Sequence, residues 1–210
     1  MIELARGDDL ALNSLMGRWS ARIFAYLERC CGDAATADDL TQETFIRVYK
    51  HRLSYEPTRR FSTWLYTIAT NLVRNHARWQ QRHPVTLLAH ETLQHCAPAS
   101  ESPSPVEALL REERAQAVRQ AIQNLPLELR EPLLLSTYEH LPHAQISGIL
   151  ELSEKAVEMR LYRARQVLRE SLKDLRPDLP SPPRAATSAT GGVPETAGHG
   201  RIAADLPGLA

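Results

Sequence analysis

Pro142-His143-Ala144-Gln145-Ile146-Ser147-Gly148-Ile149-Leu150-Glu151-Leu152-Ser153-Glu154-Lys155-Ala156-Val157-Glu158-Met159-Arg160-Leu161-Tyr162-Arg163-Ala164-Arg165 is the stretch that decides the fold. Pro142 begins a helix, where a missing N–H costs nothing. Ile146, Ile149 and Leu150 face inward on it. Glu151-Leu152-Ser153 reads as a tight turn, with Leu152 filling it and Ser153 capping a second helix. Val157, Leu161 and Leu168 recur at helical spacing and line the inner face of that helix. Lys155, Glu158, Met159, Tyr162, Arg163 and Arg165 are left to the outer face or the rim. The segment 142–165 therefore has helix-turn-helix form. Its second helix suits the major groove, where arginine reads guanine bidentately and lysine neutralises phosphate. Charge alone would favour a solvated helix on a bundle. The short turn, the proline start and the basic second helix together favour DNA.

Working outward, the second helical block runs from Pro105 to about Arg176. Ser104-Pro105-Val106-Glu107 is a strong start, with Ser at the cap, Pro at the first position and Glu at the third. Pro126 begins a short helix, and Pro132, several residues inside an apolar run, is expected to kink it. Before this block, residues 83–104 lose periodicity and read as a flexible linker. After it, residues 177–210 are rich in Pro, Ala, Gly, Ser and Thr and read as a disordered tail. The first block covers residues 9–82. Leu10, Leu12, Leu15, Met16, Trp19, Ile23 and Leu27 keep one helix face apolar, and Cys31-Gly32-Asp33 breaks the helix. Thr36 is placed to cap the next helix, whose inner stripe is Leu40, Phe45, Val48 and Tyr49. Ser54-Tyr55-Glu56-Pro57 ends it, and a third helix carries Phe61, Trp64, Leu65, Ile68 and Leu72. With no alternating strand pattern, the fold class is all-α: two small helical domains, a linker and a tail.

The chain carries 25 Lys+Arg against 25 Asp+Glu, which argues mildly against a nucleic-acid binder. Charge is nevertheless sorted along the chain. Residues 73–82 hold Arg74, Arg78 and Arg82 with no acid, and residues 154–176 hold seven basic residues against four acidic ones. Such patches set the local field that a partner feels. Three cysteines, two of them adjacent, are not a disulfide framework, so a reducing cytoplasm is expected. No apolar run suits membrane insertion, and no signal-peptide core stands at the start. Enzyme readings fail on spacing. His90-Glu91 and His95 miss the zinc-protease interval by one residue, and Cys96 lacks further ligands. No phosphate loop or nucleophile elbow is present. Catalytic residues, metal ligands and cofactors are accordingly expected to be none.

Two further segments point to function. On the helix opened by Phe61, the face opposite the apolar one carries Thr63, Thr67, Thr70, Asn71, Arg74, Asn75 and Arg78. Amides and hydroxyls bond base edges, while arginines hold phosphate. Aromatic rings nearby can stack on unpaired bases for about 1–3 kcal/mol each. Phe61 and Trp64 have the spacing of core residues, which leaves Tyr55 as the freer ring. The helix 38–50 has an outer face of Asp38, Asp39, Gln42, Glu43, Ile46 and Arg47. An exposed isoleucine among acids there suits a protein partner.

Four motifs in order now resemble one family. Asp38-Asp39-Leu40-Thr41-Gln42-Glu43-Thr44-Phe45-Ile46-Arg47-Val48-Tyr49 looks like the polymerase-binding helix of extracytoplasmic-function sigma factors. Phe61-Ser62-Thr63-Trp64-Leu65-Tyr66-Thr67-Ile68-Ala69-Thr70-Asn71 looks like the helix that melts and reads the promoter minus-ten element. Leu125-Pro126-Leu127-Glu128-Leu129-Arg130-Glu131 resembles the start of the second domain, and Ala156 to Arg165 resembles its recognition helix.

The resemblance implies a factor that binds core RNA polymerase and directs promoter-specific initiation. Asp39, Gln42, Glu43 and Ile46 would dock on the coiled coil of the largest subunit. Tyr55, Arg60, Thr67, Asn71, Arg74, Asn75 and Arg78 would hold the minus-ten strand. Lys155, Glu158, Met159, Tyr162, Arg163 and Arg165 would read the minus-thirty-five element, beside the polymerase flap. The linker would thread near the RNA exit path, and an anti-sigma factor is an expected partner. Glu158-Met159 departs from the family's usual basic and small polar pair, so the minus-thirty-five sequence should not be copied from a relative. A stand-alone helix-turn-helix regulator explains residues 107–176 but leaves the first-block motifs as accidents, and a helical adaptor with no DNA role would tolerate charge reversal at Arg163 and Arg165.

Overall fold

The computed structural model of the chain describes residues 1–58, 60–83 and 105–173, and among them are only helices and turns. The elements are α1 (Ile2–Ala5), α2 (Leu10–Cys31), α3 (Ala34–Lys50), a 3-10 turn (Arg52–Ser54), α4 (Phe61–Arg82), α5 (Pro105–Gln123), α6 (Leu127–Thr137), α7 (His143–Leu150) and α8 (Glu154–Ser171). The linker residues 84–104, with His90, Glu91, His95 and Cys96, and the tail beyond 173 lie outside the described residues.

Local chemistry accounts for most of the boundaries. Gly32 ends α2 in the left-handed region at φ 78°, and its N–H donates to the Glu28 carbonyl at 2.7 Å. A Cβ at Gly32 would also meet Gln123 Oε1 at 2.8 Å, so glycine permits both the turn and the approach of α5. The cap of α3 is Asp33 rather than the expected Thr36. Asp33 is extended, and its carboxylate accepts the Thr36 N–H at 2.7 Å, which makes Thr36 the third residue of the helix. Helix α3 also stops earlier than Pro57, at Lys50. There Arg52 donates to the Tyr49 carbonyl at 2.9 Å and lies 4.2 Å from the centre of the Tyr49 ring. Ser153 caps α8 as expected, accepting the Ala156 N–H at 3.2 Å.

Pro132 lies inside α6, which carries on through it to Thr137. A proline has no N–H for the carbonyl four residues back, here that of Glu128. The Arg160 guanidinium of α8 donates to that carbonyl at 3.5 Å. Helix α1 was not foreseen. It is a single turn whose Leu4 is fully buried.

The two helical blocks do not stand apart. The described residues form one compact unit, in which α2 packs on α3, α4, α5 and α6 while α4 packs on α7. One apolar cluster runs from Ile23, Leu27 and Leu65 to Leu125, Leu134, Ile146 and Leu161. Among the described residues no helix is long and apolar enough to cross a membrane.

Candidate polymerase and nucleic-acid interfaces

Helix α3 buries Ala37, Thr41, Thr44, Phe45 and Val48. The two buried threonines satisfy themselves within the helix, donating at 2.7 Å to the carbonyls of Ala37 and Leu40. Asp38, Asp39, Gln42 and Ile46 stand on the exposed face, with Ile46 45% accessible. Gln42 donates to Asp38 at 2.9 Å, and Arg47 to Glu43 at 2.8 Å. The predicted contacts Asp39, Gln42, Glu43 and Ile46 thus share one acidic, partly apolar surface.

The loop before α4 departs from expectation. Tyr55 is not a free ring. Its centroid lies 5.2 Å from that of Trp64 and 6.1 Å from that of Phe61, and Phe61 lies 5.7 Å from Trp19. Burial of aromatic area outweighs the freedom of a proline-ended loop. Thr70 also turns inward. It is fully buried and bonds the Tyr26 hydroxyl at 2.9 Å, because its position coincides with the apolar stripe facing α2.

Of the other residues on the α4 strip, Arg60, Asn71, Asn75 and Arg78 are exposed. Thr63 and Thr67 are half-buried, and the Thr67 hydroxyl donates to the Thr63 carbonyl at 2.9 Å. Arg78 and Arg82 lie back along the helix, donating to the carbonyls of Arg74 and Arg78 at 3.3 and 3.2 Å. Beside them Trp79, 48% accessible, stacks on His83 at 5.1 Å and on His76 at 6.3 Å.

Arg74 is already engaged. Its Nε donates to both carboxylate oxygens of Glu131 at 3.0 and 3.1 Å, and its Nη2 to Oε2 at 2.8 Å. The Glu131 side chain is 2% exposed and that of Arg74 24%. Burial pushes the Glu131 carboxyl up from its ordinary value, with Arg74 pulling it back down. On Arg74, burial acts to lower the guanidinium value, but the bonds and charge of Glu131 outweigh it and raise it. Nothing local in the sequence signals this pair, whose members lie 57 residues apart. The one available hint was an acid beside the apolar run Pro132 to Leu135, since a buried carboxylate needs a partner.

In the second block, Glu151 takes the left-handed conformation at φ 57° and ψ 46°, and Leu152 N–H donates to the Ser147 carbonyl at 3.0 Å. Helix α8 buries Val157, Leu161 and Ala164. It leaves Lys155, Glu158, Met159, Tyr162, Arg163 and Arg165 all exposed on its other faces.

Cys30 and Cys31 are free thiols. Burial raises both, Cys31 to about 11, so neither supplies the reactive thiolate near neutral pH. Among the described residues no group of three His, Cys, Asp or Glu is placed to hold a metal ion.

Comparison with known proteins agrees with this layout. The Sigma-70 region 2 family matches residues 15–83, and the Sigma-70 region 4 family matches residues 115–168. The RNA polymerase sigma-H factor of Pseudomonas aeruginosa is 33% identical over 174 residues, covering 81% of this chain and 90% of that one. The ECF RNA polymerase sigma factor SigW of Bacillus subtilis is 30% identical over 179 residues, covering 82% and 95%. The sigma factor RpoE of Bartonella quintana, solved in complex with the anti-sigma factor NepR, shares the fold with a TM-score of 0.60 at 20% identity, covering 77% of this chain and 96% of that one. With both sigma regions matched in order and relatives of this identity aligned over four-fifths of its length, the chain belongs to the extracytoplasmic-function (ECF) family of RNA polymerase sigma factors.

Proposed function

We propose that this sigma factor divides promoter-directed initiation among three surfaces. The outer face of α3, with Asp39, Gln42, Glu43 and Ile46, docks on the coiled coil of the polymerase largest subunit. Arg60, Thr67, Asn71, Arg74, Asn75 and Arg78 hold the minus-ten strand, and Tyr55 shapes that site from within its aromatic cluster. Lys155, Glu158, Met159, Tyr162, Arg163 and Arg165 read the minus-thirty-five element from α8, with the second block seated at the polymerase flap. The domain division is residues 9–82 and 105–176, joined by the linker 83–104 and followed by the tail 177–210. The factor works in the cytoplasm with no cofactor and no catalytic residue of its own, the polymerase supplying the chemistry. An anti-sigma factor is its regulatory partner, as the Bartonella relative has one.

The observation that carries this reading is the presence, within one family-matched chain, of an exposed acidic face on α3 and an exposed basic reading face on α8. In vitro transcription with purified core polymerase on genomic promoter fragments tests it. New defined start sites that need both components are the expected result. Specific duplex binding without polymerase, and no new start sites, would instead identify a stand-alone regulator.

A further inference from the structure

A cleft of about 500 Å³ lies where α7 packs on α4, between Arg60, Trp64 and Thr67 on one side and Gln145, Gly148 and Glu151 on the other. Small-molecule sites fall in the range of about 300–1,000 Å³. The walls differ in chemistry. Trp64 supplies a half-buried aromatic ring, braced by Tyr55, whose centroid lies 5.2 Å away. Gln145 supplies an acceptor, since its Oε1 is buried and takes no hydrogen bond from the protein. A carbonyl in that condition carries a desolvation penalty that a donor on a ligand relieves. Thr67 adds a second acceptor. Its hydroxyl proton is spent on the Thr63 carbonyl at 2.9 Å, which leaves the oxygen lone pairs for an incoming donor.

The edge of the cleft has the opposite character. Arg60 is exposed and precedes α4, a helix with no side-chain cap at its start. The guanidinium and the amides of the first turn together suit an anion. Gly148 leaves room on the facing wall, because a Cβ there would meet nothing within 4 Å. An aromatic wall with two acceptors, and a cationic edge, define a ligand that is planar, carries an amino donor and bears negative charge. A nucleotide with an amino-bearing base has all three properties. A sugar phosphate lacks the plane, and a base without the amino group leaves Gln145 unpaired.

We propose that this cleft binds a free nucleotide with an amino-bearing base: the base lies on Trp64 and donates its amino proton to Gln145 Oε1, while the phosphate sits on Arg60 and the first turn of α4. Gln145 and Gly148 have no part in the promoter contacts assigned above, which separates this site from that of the minus-ten strand. The inference rests on that assignment in one respect. A nucleotide so held occupies Arg60 and Thr67, and so competes with the minus-ten strand for them.

The test is calorimetric titration of the full-length protein with three probes: AMP, purine riboside monophosphate, which lacks the amino group, and adenosine, which lacks the phosphate. AMP should bind, and each of the other two should bind about tenfold more weakly, as the loss of one hydrogen bond or charge contact implies. Gln145→Leu removes an unpaired buried acceptor and should fold. In that variant AMP and purine riboside monophosphate should bind alike, and in Arg60→Ala so should AMP and adenosine. Gly148→Leu, which fills the cleft, should abolish binding while its circular-dichroism melt stays cooperative. Without AMP, Gln145→Leu holoenzyme should transcribe at the unaltered rate. No heat with millimolar AMP, equal affinity of the unaltered protein for AMP and purine riboside monophosphate, or binding that survives Gly148→Leu would overturn the proposal. Loss of transcription by Gln145→Leu would overturn it too, by placing Gln145 among the promoter contacts. If Arg60→Ala loses its preference for AMP over adenosine yet transcribes at full rate as holoenzyme, the nucleotide site stands and the assignment of Arg60 to the promoter is at fault.

Discussion

Reversing the charge of Glu43 separates docking from folding. Its carboxylate sits 2.8 Å from Arg47 Nε, and both side chains are 37% exposed. An exposed pair spaced four apart on a helix contributes about 0.3–0.5 kcal/mol. Glu43→Lys removes that and substitutes a like-charge pair costing about as much, so the fold should lose about 1 kcal/mol. In a chain of this size that lowers Tm by about 2–4 °C. A polymerase surface complementary to the acidic face would feel a change of two charge units. Losing one hydrogen-bonded charge contact at an interface costs about 2–5 kcal/mol. At about 3 kcal/mol the affinity for core should fall more than a hundredfold. Competition between the variant and labelled unaltered protein for purified core, with a circular-dichroism melt in parallel, reads both numbers. Unchanged competition would refute the docking face. A melt lowered by far more than the pair accounts for would show Glu43 to be a structural residue instead.

Four other outcomes follow from the geometry. Arg163→Ala, at an exposed position on α8, should cost about 1–3 kcal/mol of discrimination at one base pair of the minus-thirty-five element while core binding is unchanged, as promoter-variant transcription and core competition would show. Arg74→Ala strands Glu131 in a site where its side chain is 2% exposed, and should destabilise by about 3 kcal/mol at neutral pH; Glu131→Ala should cost less, because Arg74 at 24% exposure can turn to water. Burial raises the folded-state value of Glu131, and losing Arg74 raises it further, so the folded Arg74→Ala variant holds a proton that the unfolded chain releases. Its stability should be greatest below the usual carboxylate range and fall as pH rises through the folded value, a slope that melts across pH 4 to 7 would reveal and a flat profile would contradict. Glu151→Gly relieves a left-handed non-glycine residue at φ 57° and should raise Tm by a degree or two, since relief of about 1 kcal/mol is partly offset by the entropy of glycine.

How much of this was legible in the sequence depended on how local each cause is. Pro142, Ser153 and the Ile146–Leu161 spacing act within a turn or two of themselves, and they placed the starts of α7 and α8 within a residue of where they lie. Thr36 shows the limit of a local rule, because Asp33 three residues earlier offered a carboxylate to the same helix end and took the cap. Tyr55 and Thr70 were misplaced for a different reason. Each is decided by a partner on another helix, Trp64 for one and Tyr26 for the other. The outer faces of α3 and α8 could be read because an amphipathic helix declares its solvent side by what it omits. The Arg74–Glu131 pair could not, since nothing near either residue says which charge lies across the molecule. The packing of one helical block on the other shares that cause. Polar contacts such as Gln123 to the Arg29 carbonyl use side chains that look like ordinary surface in the sequence.

Pro132 has a consequence for how this protein could change its promoters over time. The carbonyl it leaves without an amide is the one that Arg160 reaches from the middle of α8. That tether, with Val157, Leu161 and Ala164 buried on the same side, sets the roll of the helix about its own axis. Pose and vocabulary are thereby written in different residues. On the proposed reading of the minus-thirty-five element, substitutions at Glu158, Met159 or Tyr162 would alter which bases are preferred without tilting the helix that carries them, so new specificities would be reachable one side chain at a time.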